Sequence, residues 1–187
     1  ARANYQQSID IEASSVVYAM LGFAHLVDLM YGWSDSQMES FDKAKKCAEA
    51  AYEMNENVDI LHMLLGWIYL FKGMHDKAVL EGKRAVQLNP NGAEAHVQLA
   101  AILVFAGNPD EAIRLINRAF RLNPTPTSYY FNMLGIAYRS VNQYEDAITA
   151  CEKMVHMNPN SLPSYITLAS CHSLLPEFCT QIAFNEV

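Results

Sequence analysis

The sequence predicts an all-α protein of antiparallel helix pairs, and three marks that share one period predict it. Asn-Pro recurs at Asn89-Pro90, Asn123-Pro124 and Asn158-Pro159, so the prolines stand 34 and 35 residues apart. Ala78, Ala112 and Ala147 keep the same spacing, and Leu65-Gly66, Leu99-Ala100 and Leu134-Gly135 fall at matching phases. A fixed period of this length marks a repeat architecture, in which each unit buries its apolar face only by stacking on the next.

The elements follow in order. Residues 1–13 read as the tail of a helix whose partner precedes them. A first helix over 15–30 carries Leu21-Gly22, and a second over 36–54 carries Ala44, Ala48 and Ala51. Between these two, Met30-Tyr31-Gly32-Trp33-Ser34-Asp35 is an insert that adds about ten residues to the repeat. Ser36-Gln37-Met38-Glu39 has the spacing of a capping box, which predicts a helix start there. From Val58 to Phe71 the chain is apolar on nearly every side, as expected of a helix packed on both flanks. Lys72-Gly73 ends that helix (58–72) and a second runs over 75–88, where Asn89-Pro90 stops it because the residue before proline is biased away from helical angles. The pattern repeats over 92–106 and 109–122, broken by Gly107-Asn108-Pro109, and over 127–141 and 144–157, broken by Asn142-Gln143. Leu168-Ala169 belongs to a last helix, 162–174, while Pro176 to Val187 loses the small-residue phase.

These units resemble tetratricopeptide repeats. That family's pattern has a large residue, Leu-Gly and Tyr in the first helix, then Ala, an aromatic, Ala and Pro through the second. His62, Leu65, Gly66, Tyr69, Ala78, Gly82, Ala85 and Pro90 occupy those places in one unit. The next unit has His96, Leu99, Ala100, Leu103, Ala112, Ile116, Ala119 and Pro124; the third has Phe131, Leu134, Gly135, Tyr138, Ala147, Cys151, Met154 and Pro159. Gly82 in place of a large residue and Met154 in place of alanine are departures that imply local repacking. The resemblance implies a right-handed α-solenoid, with one array over the whole chain: an irregular repeat at 15–56, full repeats at 59–92, 93–127 and 128–161, and a partial one from 162. A second resemblance rests on Ala106-Gly107-Asn108-Pro109-Asp110-Glu111-Ala112-Ile113, on Arg121-Leu122-Asn123-Pro124 and on the Tyr31-Gly32-Trp33-Ser34 insert. Together they look like arrays C-terminal to bacterial class III adenylate or guanylate cyclase domains or related transcription regulators, implying a signalling protein of that kind as host.

Composition removes several functions. The 187 residues are 51% apolar and 18% charged, enough apolar matter for a core and too much for disorder. A net charge of −7 argues against a duplex-nucleic-acid binder, which needs a basic face to displace counterions. The longest apolar stretches, Val16–Ala24 and Met63–Phe71, fall well short of the roughly 20 residues of a spanning helix, so no membrane insertion is expected. The chain does not start with methionine and reads as a piece of something longer. Cys47, Cys151, Cys171 and Cys179 show no C-x-x-C pairing and read as buried free thiols of a reducing, cytoplasmic compartment.

No phosphate loop, dinucleotide fingerprint, nucleophile elbow, zinc-protease helix or EF-hand pattern occurs, so the chain is read as non-catalytic, with no cofactor. Cys171-His172 beside Cys179 comes nearest to a metal cluster, but His172 takes the place of the first-helix tyrosine and reads as packing. Asp110 and Glu111 open a helix, where acidic side chains favour the macrodipole.

The resemblance places function on the concave side lined by the first helix of each pair. It assigns Phe23, Ile60, Met63, Trp67, Phe71, Glu94, Val97, Phe105, Tyr129, Asn132 and Arg139 to a protein-binding groove. The groove is apolar at its N-terminal end and suits an amphipathic helix held by aromatics and methionines. Of the Lys, Arg and Asn that clamp an acidic chaperone C-terminus, only Asn132 and Arg139 are present. Trp67, Phe71, Val97, Phe105 and Tyr129 are expected as a partly exposed wall; the competing reading has Trp67 and Phe71 packed between helices. Self-association is the alternative function, since Phe178, Ile182 and Phe184 end the chain without a polar cap and predict a homodimer through terminal helices.

Overall fold

The computed structural model describes residues 2–173 apart from 12, 35 and 161. Among the described residues there are ten helices and no strand: α1 (Arg2–Ile11), α2 (Ser15–Tyr31), α3 (Gln37–Met54), α4 (Asp59–Phe71), α5 (His75–Leu88), α6 (Ala93–Phe105), α7 (Pro109–Leu122), α8 (Ser128–Ser140), α9 (Tyr144–Met157) and α10 (Leu162–His172). Phe178, Ile182 and Phe184, on which a dimer contact was expected, and Cys179 lie outside the described residues. The fold is an all-α helical-repeat solenoid. Its chain divides into two compact units, 1–102 and 103–187.

The repeat is visible in the turn chemistry. Each pair has a residue in the left-handed region at the same place in its turn: Gly73 at φ 70°, Gly107 at φ 84° and Asn142 at φ 62°. One residue later an N–H closes the preceding helix, Met74 to the Tyr69 carbonyl (2.9 Å), Asn108 to Leu103 (2.8 Å) and Gln143 to Tyr138 (3.0 Å). Glycine meets that backbone demand without strain, and asparagine is among the few other residues that tolerate it. Pro109 then opens α7 at a position whose N–H would have no helical partner.

The insert near Trp33 is not a long loop. Relative to the thirteen- and fourteen-residue helices of the later pairs, α2 has 17 residues and α3 has 18. The additional residues thus form about one more turn on each helix, leaving a short connection. Helix formation is favoured because the new ends are capped: Ser36 accepts the Glu39 N–H at 3.3 Å, and Gly32, at φ 66°, lets the Trp33 N–H reach the Asp28 carbonyl at 2.9 Å.

In the first unit, α2 packs on α3 and α4, and α4 on α5. Leu26, Leu61, Leu64, Val97 and Ile102 have essentially no exposed surface. The Gly82 departure is explained here: a Cβ on Gly82 would stand 2.8 Å from Leu99 Cδ1, so side chains of α6 occupy the space a larger residue fills elsewhere. Gly66 is equally tight, its missing Cβ 2.6 Å from Ile102 Cδ1 and 3.3 Å from the Ala78 carbonyl. His62, at the family's large-residue position, bridges the Glu81 carboxylate (2.6 Å) and the Glu56 carbonyl (2.8 Å).

In the second unit, α8 packs on α7 and α9, and α10 on α9. Ala112, Ile116 and Ala119 form the buried stripe of α7, and Tyr130, Ala147 and Cys151 are equally enclosed. Ala112 has no exposed surface, so Ala112→Leu is expected to overpack this joint and cost about 1–3 kcal/mol. A thermal melt checks it, and an unchanged midpoint would show the assigned register to be wrong.

Candidate protein-binding site

The first unit holds a pocket of about 600 Å³. Its floor comes from one face of α2, where Met20, Phe23 and Val27 fall at spacings of three and four, and from Ile60 and Met63 of α4. Trp33 forms the lip. It follows the left-handed Gly32, stacks on Tyr31 with ring centroids 5.0 Å apart, and is 68% exposed. α1 supplies Arg2 and Tyr5, and Arg2 pairs with Asp28 at 2.8 Å. On the other side Gln98 donates to Glu94 at 2.7 Å and accepts the indole N–H of Trp67 at 2.8 Å. The result is an apolar depression with a few fixed polar groups at its edge, the usual chemistry of a recognition site.

His25 lies behind this wall, buried, with Nδ1 unpartnered among the described residues. Burial first, then the charges of Arg2 and Lys43, push its pKa below the usual 6.5. The folded state therefore prefers the neutral ring, so its contribution to stability is complete above about pH 6.5 and declines as pH falls below that value. Melting midpoints between pH 7.5 and 5 are expected to drop more steeply for the native chain than for His25→Gln.

Of the expected groove residues, Phe23, Ile60, Met63 and Glu94 come together in this pocket. Trp67 and Val97 do not form an exposed wall. Trp67 of α4 is 5% exposed, with its indole N–H taken up by Gln98, and Val97 of α6 has no exposed surface. Phe71 is 43% exposed, but it meets Phe41 edge-on and does not line the pocket. Phe105, Tyr129, Asn132 and Arg139 belong to the second unit. There Phe105 is exposed, Tyr129 is half-buried, the Asn132 amide oxygen is buried, and Arg139 donates to the Ser170 hydroxyl at 2.8 Å.

Sequence reasoning missed Met20, Val27 and Trp33 as lining residues, although the three- and four-residue spacing from Phe23 carries the first two. Arg2 and Tyr5 carry no such signal, since α1 reads only as a leftover tail. Cys47, Cys151 and Cys171 are free and buried, and burial raises the Cys151 thiol to about 12, which removes it as a nucleophile at neutral pH. Among the described residues, no group of three His, Cys, Asp or Glu side chains could hold a metal ion, and no helix is long and apolar enough to cross a membrane.

Tetratricopeptide-repeat models match the sequence at residues 29–93, 72–135 and 128–161. The chain belongs to the tetratricopeptide-repeat proteins, a family of protein-interaction modules. No curated protein matches it in sequence. Among solved structures it is similar to TTC0263, a tetratricopeptide-repeat protein of Thermus thermophilus, at TM-score 0.69 and 18% identity over 92% of this chain and 89% of that one. It is also similar to pilF of Pseudomonas aeruginosa, with TM-score 0.66 and 19% identity over 84% of this chain and 67% of that one. YrrB, described as having an unusual peptide-binding site, gives TM-score 0.57 and 22% identity over 88% and 79% of the two chains. At these identities the likeness is one of fold.

Proposed function

We propose that this chain is a non-catalytic docking module whose first unit receives an amphipathic helix of a partner protein. The apolar pocket with its exposed Trp33 lip carries the reading. Met20, Met63 and Phe23 give it a soft, adaptable floor, of the kind that accepts an apolar helix face. Glu94 at the edge favours a basic residue on the flank of the incoming helix. The Ala106–Ile113 run and the Tyr31–Ser34 insert further support placing the module in a larger bacterial signalling protein, such as a class III cyclase.

Fluorescence anisotropy with a labelled amphipathic Leu/Lys helix tests the docking. Saturable binding is expected, lost on Phe23→Glu and absent for a scrambled peptide of the same composition. Equal binding of the scrambled peptide, or indifference to Phe23→Glu, would overturn it.

A further inference from the structure

The second unit carries a different surface, on the exposed face of α7. Arg114, Arg118 and Arg121 recur at i, i+4 and i+7 on α7, all exposed, opposite the buried Ala112–Ile116–Ala119 stripe. Among the described residues none of the three has an ion-pair or hydrogen-bond partner. In the first unit Arg2, Lys43 and Lys45 are paired with carboxylates and Arg84 donates to Asn57, while the exposed Lys46 and Lys83 stand apart from one another on different helices. With Lys153 the three arginines supply four of the five cations of this unit, in a chain of net charge −7.

Beside the stripe runs a cleft of about 440 Å³ between α7, α8 and α9. Phe120, Phe131, Leu134 and Tyr138 make its apolar floor, Asn117 of α7 and Lys153 of α9 its flanks, and Asp146 is the single carboxylate in its lining. The first unit has the equivalent cleft, with Leu65 and Tyr69 in the places of Leu134 and Tyr138. Aligned on Ala44 and Ala112, that copy carries Glu49 and Glu53 where the second unit carries Asn117 and Arg121. One architecture thus appears twice with a different edge. The first copy is mixed, with Lys45, Lys72, Glu49 and Glu53 in its lining and Lys46 in the place of Arg114, whereas Asp146 is the single carboxylate lining the second and Arg121 stands where the first has Glu53. Helix burial explains the apolar floor in both, but it does not explain three unpaired arginines beside only one of them.

We propose that this cleft binds an acidic segment of a partner polypeptide, one apolar side chain entering between Phe120 and Leu134 while carboxylates pair with Arg114, Arg118 and Arg121. Guanidinium forks suit carboxylates bidentately. Three of them over two helical turns, about 10 Å, match an acidic segment with the same period. The site is independent of the pocket around Phe23.

A labelled synthetic peptide with glutamates at i, i+4 and i+7 beside one leucine is the probe. The native chain should bind it saturably, and the triple variant Arg114→Gln/Arg118→Gln/Arg121→Gln at least tenfold more weakly, with unchanged circular dichroism. Lys153→Gln should weaken binding severalfold, Lys83→Gln should leave it unchanged, and replacing the peptide's leucine by serine should weaken it further. Equal affinity of the triple variant, or a Lys83→Gln effect as large as the triple's, overturns the proposal. So does arginine-dependent binding of phosphatidylserine vesicles or duplex DNA in place of the peptide. The Leu/Lys helix binding to the first unit is expected to survive the triple variant, which separates the two sites.

Discussion

Trp67→Ala is expected to lower the stability of the chain by about 3–5 kcal/mol, the range for truncating a large buried aromatic. Trp67 is 5% exposed, and its indole N–H donates to Gln98 at 2.8 Å. Removing it leaves a cavity between helices of the first unit and frees the Gln98 side chain, which also donates to Glu94. The loss should therefore appear in the thermal melt before it appears in any binding curve. A variant that melts like the native chain would show that Trp67 is not part of the core.

Trp33→Ala is expected to do the reverse. Trp33 is 68% exposed at the end of an extended helix, so its truncation should cost less than about 0.5 kcal/mol of stability. When a helix covers the lip, the remaining exposed indole surface is removed from water. At about 25 cal/mol per Å² for a large aromatic, that is on the order of 4 kcal/mol gross. Ordering costs leave about 1.5–3 kcal/mol, so the Leu/Lys helix should bind Trp33→Ala tenfold or more weakly. The two tryptophans thus separate folding from recognition, one measured by melting and the other by affinity.

Much of this fold is legible before the structure, because the repeat fixes it at several levels at once. Gly73, Gly107 and Asn142 each sit where the backbone turns left-handed, and the Asn-Pro pairs each stop a helix. Where the period breaks, the sequence says less. Around Trp33 the helix bounds expected from the sequence, 15–30 and 36–54, lie within one residue of α2 and α3, with Ser36 as the expected cap; what the sequence leaves open is where the Trp33 side chain goes.

The site is less legible than the fold for a related reason. Burial along an all-apolar helix such as α4 depends on its neighbours and not on its own sequence. Ile60 and Trp67 therefore look alike in the sequence, yet one lines a pocket and the other is core. Exposure at Trp33 depends on a glycine and on an extra helical turn, neither of which belongs to the repeat.

Trp33 itself reports on whether a helix docks in the first unit. In a Trp67→Phe background it is the only tryptophan, so its emission and its quenching by acrylamide can be followed while the Leu/Lys helix is added. A saturable blue shift with protection from acrylamide, both abolished by Phe23→Glu, is the expected result. Emission and quenching that stay constant while the peptide binds would place its contact elsewhere and contradict the assignment of this pocket.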